Sequence, residues 1–341
     1  MRDVAGLAPG PVALITDRTV DGLYGATVRR SLKAAGFAPG LSLVLPPGER
    51  TKTLAAANVL YARLAEAGLG RGRPIVALGG GVIGDLAGFV AATWLRGVPL
   101  VHVPTTVLAQ LDSSIGGKVG VDLPQGKNLV GAFHQPRLVY ADPRTLETLP
   151  MRQVLAGLAE AVKVGFALDR ALVAHLERHA EVLAGGGVAA RGSLAVAIQR
   201  SMRAKVRVVA ADERDSGLRQ LLNYGHTFGH ALELVGGYKR WLHGEAVALG
   251  MVAAAHAAVR AGLLRPAVRD RQEQLLAALG LPVRLRRVSA RNVFDAMRLD
   301  KKGTGSEPRF VLTTGVGVAR FGQPLKRSEV LAALQDAGAG P

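Results

Sequence analysis

Up to Leu149 the chain alternates short apolar runs with longer amphipathic ones, and from Pro150 onward the short runs all but stop. The spacing predicts strands over 12–16, 41–45, 74–78, 100–103 and 138–141, and helices over 20–35, 52–67 and from the glycine run through about Trp94. Strand and helix in alternation fold as a parallel sheet with helices on both faces. The expected fold class is therefore α/β: a Rossmann-like parallel-sheet domain over 1–149, then a mostly α-helical domain over 150–341 with one weak strand signal at 310–313. A chain of 341 residues with 49% hydrophobic content can bury two such cores. Gly185-Gly186-Gly187 and Gly236-Gly237 read as turns between helices.

Composition removes several classes. No apolar run reaches bilayer length, and the first residues lack the charged region, apolar block and cleavage pattern of a signal peptide, so no membrane partner is expected and a cytoplasmic location is. With no cysteine, histidine and carboxylate are the only metal-binding vocabulary. The net charge of +17 invites a nucleic-acid reading. Against it, the arginines are dispersed, aromatic content is 4%, and no nucleic-acid-binding motif accompanies them. The run RLRRVSAR at 284–291 reads as a solvated face. Arginine outnumbers lysine 33 to 10, so the surviving lysines are enriched where a compact, tunable ammonium is needed. Lys52, Lys118, Lys127, Lys163, Lys205, Lys301 and Lys302 all fall in segments that stand out on other grounds.

The first such segment is Gly79-Gly80-Gly81-Val82-Ile83-Gly84-Asp85, a G-x-G-x-x-G between a strand and a helix. Glycines there let the backbone approach a pyrophosphate, and the helix N-terminus supplies free N–H groups. The acidic residue usual at the end of the next strand is replaced by Pro104-Thr105-Thr106, which points to a variant of the dinucleotide fold. On this motif alone, a tight turn without a ligand competes. Asp112 to Asp122 (DSSIGGKVGVD) followed by Gly126-Lys127-Asn128 suggests a loop wrapping an anion, with ordinary surface turn chemistry as the equal alternative.

In the second half, LRQLLNYGHTFGHALELVGGYKRWLH at 218–243 brings an arginine, an asparagine and three histidines into one stretch. His226 and His230, four apart, share a helix face, and His243 returns after the double glycine. Glu160, in the apolar helix GLAEAVKVG with Lys163 one turn on, is the best carboxylate to join them; an exposed i,i+3 ion pair is the competing reading. His175 and His179 have the same spacing on a solvated face, so spacing alone does not select ligands. His102 and His134 read as core or ribose contacts, and His256 as a helix-packing residue.

Together, GGGVIGDLAGFVAATWLRG, VPTTVLAQLDSSIGGKVGVD, GKNLVGAFHQP, GLAEAVKVG, DERDSGLRQLLNYGHTFGHALE, LHGEAVALGM and a late DKK resemble the 3-dehydroquinate synthase family, in order and spacing, over roughly 15–321. The resemblance implies an NAD-binding domain followed by a metal- and substrate-binding helical domain, assembled as a homodimer. It implies a catalytic zinc, with cobalt as an alternative, on Glu160, His226 and His243, leaving His230 to handle protons. NAD is implied at Asp17, Gly48, Glu49, Lys52, Gly81, Val82, Ile83, Gly84, Asp85, Thr105, Thr106, Lys118, Lys127, Thr145, Leu146, Glu147 and Thr148.

The implied reaction turns the sugar phosphate 3-deoxy-D-arabino-heptulosonate 7-phosphate into 3-dehydroquinate and phosphate. It proceeds by transient NAD-dependent oxidation, phosphate elimination, re-reduction and an intramolecular aldol closure. Asp112 and Lys163 are implied near the substrate hydroxyls and Lys205 and Arg219 at its carboxylate. Lys118, Asn128, Asn223, His230, Lys301 and Lys302 are implied around its phosphate, joined by Arg96 of a neighbouring subunit. Two departures stand out: Asp215 occupies a position where the family usually has glutamate, and the 12–16 strand is not preceded by the family's extra strand.

Overall fold

The computed structural model describes residues 6–300 and 308–341. Lys301 and Lys302 lie outside the described residues. The chain divides into two compact units, Met1–Leu149 and Pro150–Pro341.

The N-terminal unit contains, in order, β1 (Gly10–Asp17), α1 (Ala26–Ala34), β2 (Phe37–Leu45), α2 (Leu54–Glu66), β3 (Ile75–Gly79), α3 (Gly81–Thr93), β4 (Leu100–Pro104), β5 (Lys118–Leu123), β6 (Gly126–Phe133) and β7 (Leu138–Val139). Five of these strands form one parallel sheet in the order β2-β1-β3-β4-β7. Alternation along the strands explains its two covered faces. Ala13, Ile15, Ile75 and Ala77 join one core with Leu60, Leu64, Leu86 and Val90 of α2 and α3. Val12, Leu14, Val76 and Leu78 join the other with Leu32 of α1.

Two differences from the sequence reading have physical reasons. β2 starts at Phe37 and runs through Pro39 and Gly40, which is tolerated because it is an edge strand and a register shift between Pro11 and Ala13 absorbs the mismatch. The expected loop over 112–128 is instead a π turn, Ala109–Ser113, followed by an antiparallel hairpin of β5 and β6. Its glycines hide the alternation that seats Val119 and Val121 in the core.

The C-terminal unit contains α4 (Met151–Leu168), α5 (Arg170–Arg178), α6 (Ala180–Gly185), α7 (Gly187–Ala211), α8 (His226–Val235), α9 (His243–Arg260), α10 (Pro266–Ala278), α11 (Ala290–Asp300), β8 (Arg309–Gly315), β9 (Val318–Pro324) and α12 (Arg327–Asp336). Helices α4 and α9 are buried along most of their length, which their alanine and glycine content permits. A Cβ on Gly244 would run into the Ala156 carbonyl of α4, and one on Gly250 into the Gly225 carbonyl just before α8. The backbones of α4, α8 and α9 therefore approach more closely than larger residues allow. The 310–313 signal is realised as β8, paired with β9 in a hairpin. Among the described residues no helix is long and apolar enough to cross a membrane.

Candidate active site

Glu160 sits mid-way along α4 with 0% exposure, and Lys163, one turn on, has 1%. The two are ion-paired inside the unit rather than on a solvated face. Such a pair is costly to bury and is kept where a charge is used. Around Glu160 stand His226, the first residue of α8, and His243, the first residue of α9. His243 Nε2 lies 3.4 Å and His226 Nε2 3.7 Å from Glu160 Oε1, and one ligand atom of each of the three falls within 4.8 Å of the others. The Nδ1 of His226 is 3.3 Å from the Tyr224 carbonyl, a contact that places its proton there and leaves Nε2 with a lone pair toward Glu160.

Burial holds the His226 imidazole at a pKa of about 3, with Lys163 and the other two histidines adding to the effect against the pull of Glu160. Burial acts on His243 in the same sense, but hydrogen bonds to Glu160 and Glu233 outweigh it and push His243 up to about 10. One carboxylate and two imidazoles, with no thiolate, form the donor set of a catalytic divalent-cation site that keeps an open position. The three residues fit such an ion.

Glu233, which the sequence reading did not single out, is buried on α8 with its Oε2 3.1 Å from His243 Nδ1. With His230 and His243 it forms a second, overlapping group of ligand atoms within 4.8 Å. The signal was present: Glu233 follows His230 by three residues and His226 by seven, on the same helix face.

Immediately upstream of His226, the 3-10 turn Leu218–Asn223 packs on α4 and α7. Arg219, on that turn, is 2% exposed, and its guanidinium donates to the Glu213 carbonyl at 2.6 Å. Lys205 of α7 is 8% exposed, Asn223 is half-buried and His230 exposed. Asp215 has a left-handed backbone, φ 60°. It lies in a loop wound about Asp212, whose carboxylate accepts the Ser216, Gly217 and Arg219 N–H groups. The Arg219 contact leads these in holding the Asp212 pKa down at about 2.

In the N-terminal unit, the named dinucleotide residues gather at the carboxyl edge of the sheet. The strand order reverses between β1 and β3, and ligands of parallel α/β sheets sit at such a switch point. Asp17 ends β1, where its carboxylate caps the following turn through the Thr19 and Val20 N–H groups. Gly81, Val82, Ile83, Gly84 and Asp85 form the first turns of α3 directly after β3. Cβ atoms at Gly80 and Gly81 would meet Thr106 at 2.9 Å and Ser113 at 3.1 Å. Thr105 is buried, and its Oγ1 has no hydrogen-bond partner among the described residues. An orphaned hydroxyl beside a helix N-terminus fits a ligand with phosphate and ribose oxygens.

Gly48 turns the chain with φ 102° ahead of Glu49. Lys52, 4% exposed, reaches Asp85 at 2.8 Å, Asp122 at 3.8 Å and Glu49 at 3.9 Å, and Lys127 reaches Glu49 at 3.7 Å. Burial raises the Asp85 carboxyl against the opposing effect of Lys52. Thr145, Leu146, Glu147 and Thr148 lie in the 3-10 turn Pro143–Thr148 beside β7; Leu146 turns its side chain into the unit. Asp112 is in the π turn after β4, Lys118 opens β5, and Asn128 on β6 has φ 55°. Leu95 and Arg96 are consecutive left-handed residues at φ 48° and 64°, and both are exposed. Strain of this kind persists where a side chain has to be presented in one direction.

The model of the 3-dehydroquinate synthase N-terminal region matches residues 42–156, and that of the C-terminal region matches 157–303. The 3-dehydroquinate synthase of Synechococcus sp. (strain CC9605) is 46% identical over 335 residues, covering 98% of this chain and 90% of the relative. Among solved structures, 2-epi-5-epi-valiolone synthase from Streptomyces hygroscopicus subsp. jinggangensis 5008, with NAD+ and Zn2+ bound, superposes with a TM-score of 0.87 at 28% identity over 96% of this chain and 91% of that one. A 2-deoxy-scyllo-inosose synthase complexed with carbaglucose-6-phosphate, NAD+ and Co2+ gives 0.86 at 29% identity over 97% and 91%. The two family models together match residues 42–303 without a gap, and on that footing the chain belongs to the 3-dehydroquinate synthase family.

Proposed function

We propose that this chain converts 3-deoxy-D-arabino-heptulosonate 7-phosphate into 3-dehydroquinate and inorganic phosphate in the cytoplasm, using NAD+ and a divalent metal, zinc or cobalt. Family membership supports the reaction, and one observation carries the choice of substrate: Arg219, seven residues before His226, is 2% exposed and held by the Glu213 carbonyl. A carboxylate is the natural counter-ion for a planar guanidinium in such a place. Carbaglucose-6-phosphate, the ligand of the inosose synthase, has a phosphate but no carboxylate.

Glu160, His226 and His243 would hold the metal, and the N-terminal turn of α3 with Lys52, Thr105, Thr106 and residues 145–148 would hold NAD+. When bound, the two supply Lewis-acid polarisation of substrate hydroxyls and a transient oxidation reversed within the turnover. The chain's own side chains do the rest. Arg219 and Lys205 orient the substrate through its carboxylate, and Lys163, with Asp112, hydrogen-bonds its hydroxyls. His230, exposed beside the ligand histidines, accepts and returns protons. Lys118, Asn128, Asn223, Lys301 and Lys302 offset the charge that builds on the departing phosphate. The protein assembles as a homodimer, in which the strained Leu95-Arg96 turn presents Arg96 to the neighbouring subunit's phosphate site.

The test is phosphate release from the sugar phosphate in the presence of NAD+ and zinc, with NADH absorbance followed in parallel. Phosphate without net NADH supports the cyclase; stoichiometric NADH would make the protein a dehydrogenase instead. Arg219→Ala is expected to lower kcat/KM by at least about 100-fold, the size of a lost charge-assisted contact.

A further inference from the structure

Gln110 is fully buried, at 0% exposure, in the π turn Ala109–Ser113 that follows β4. Turns of this kind recur at functional sites because they widen the helix by one residue and redirect its side chains. The Gln110 amide nitrogen lies 3.0 Å from the Pro104 carbonyl at the end of β4, 2.9 Å from the Asp142 carbonyl and 3.0 Å from Thr145 Oγ1. Thr145 Oγ1 itself donates to the Asp142 carbonyl at 2.8 Å, which leaves a lone pair for Gln110. Two carbonyls and this hydroxyl around one atom identify it as the NH2 end of the amide.

Its other end, Oε1, is buried and accepts no hydrogen bond among the described residues. A half-satisfied buried amide costs stability that methionine, of similar shape, would avoid. What the NH2 group holds therefore accounts for the residue. On its other side the Pro143–Thr148 turn is fixed by Tyr24, whose hydroxyl donates to the Thr145 carbonyl at 3.0 Å and lies 2.6 Å from Thr148 Oγ1. The same π turn carries Asp112, and Ser113, which faces Gly81 at the start of α3. One amide thus ties the end of β4, the π turn and the 143–148 turn into a single block.

We propose that Gln110 is a positioning residue for the dinucleotide: it sets Thr145 and its turn against the carboxyl edge of the sheet, so that the cofactor meets a preformed surface instead of ordering one. The proposal rests on the reading that this edge binds NAD+. The experiment is calorimetric titration of NAD+ into the full-length protein, with steady-state kinetics, for wild type, Gln110→Met, Thr145→Val and the double variant. Gln110→Met should weaken NAD+ binding about tenfold, the equivalent of the lost hydrogen bonds, and raise KM for NAD+ while kcat at saturation stays within about twofold.

Because Gln110 acts through Thr145, the double variant should bind no more weakly than the weaker single variant. That coupling separates positioning from a general packing role, which would multiply the two losses. Wild-type affinity in Gln110→Met, or multiplied losses in the double variant, overturns the proposal while leaving NAD+ binding intact. Absence of NAD+ binding by the wild type overturns it together with the reading beneath it. Should Gln110→Met fail to fold, Thr145→Val alone decides: unchanged NAD+ affinity there sinks the proposal.

Discussion

Glu233 Oε2 lies 3.1 Å from His243 Nδ1, on the side of the ring opposite the Nε2 atom that faces Glu160. This carboxylate holds the proton on Nδ1 of His243, so that Nε2 is the nitrogen whose proton a metal would displace. Loss of such a partner typically costs 10–100-fold in metal affinity, so Glu233→Leu is expected to bind zinc about tenfold to 100-fold more weakly. Glu233→Gln, which keeps an acceptor oxygen, should lose less. His230→Ala should bind zinc as the wild type does, because His230 belongs to the overlapping group and not to the one around Glu160. Competition against a chromophoric chelator measures all three, and a large loss in His230→Ala would shift the ligand set to His230, Glu233 and His243.

Lys163 supplies the charge that makes a buried Glu160 tolerable. Removing one member of a buried ion pair typically costs about 3–5 kcal/mol, so Lys163→Met should lose stability on that scale in chelator-treated protein. Zinc on Glu160 replaces the missing positive charge, and the deficit should shrink when metal is added. Urea melts with and without zinc test this; a deficit that metal leaves unchanged would mean that Lys163 contributes packing rather than charge.

The alternation of strands and helices before Leu149 was legible because β1 and β3 bury their two faces on different cores, so that apart from Thr16 and Asp17 at the end of β1 their residues are all apolar or glycine. The β5–β6 hairpin was not, because Gly120, Gly126 and Gly131 dilute its period-2 pattern to something that reads as loop. Histidine spacing alone could not rank His226 and His230 against His175 and His179. What separates them is tertiary: Glu160 arrives from a helix more than sixty residues away in sequence. Glu233 shares the helix face of His226 and His230, but a carboxylate in an amphipathic helix is ambiguous until His243 packs against it, and Gln110 carries no local signature because its partners are set only when distant segments pack.

His102, in β4, is 4% exposed, and burial first, then the nearby His134, holds its pKa at about 4. In the unfolded chain it titrates near 6.5. The unfolded state therefore binds the extra proton first, and stability that is complete above about pH 6.5 is lost as pH falls toward 4, by up to about 3 kcal/mol. Replacing His102 with leucine should flatten the decline in Tm between pH 7 and 4.5. An unchanged slope would assign the acid sensitivity to other groups.

Gly250 of α9 packs where a Cβ would run into the Gly225 carbonyl and lie 2.8 Å from the Gly229 nitrogen. Those atoms belong to the start of α8, which carries His226, while α9 carries His243, and the two rings have centroids 5.4 Å apart. Backbone atoms cannot move aside as a flexible side chain does, so Gly250→Ala has to push the helices apart. Overpacking of this kind costs about 1–3 kcal/mol, and because α8 and α9 each carry one ligand histidine, zinc affinity should fall with it. Gly192, exposed in α7 with open space at its Cβ position, is the control: alanine there should stabilise by about 0.5–1 kcal/mol and leave the metal untouched. If Gly250→Ala lowered stability while zinc affinity stayed at the wild-type value, the close approach of α8 and α9 would be a packing feature with no part in setting the ligand geometry.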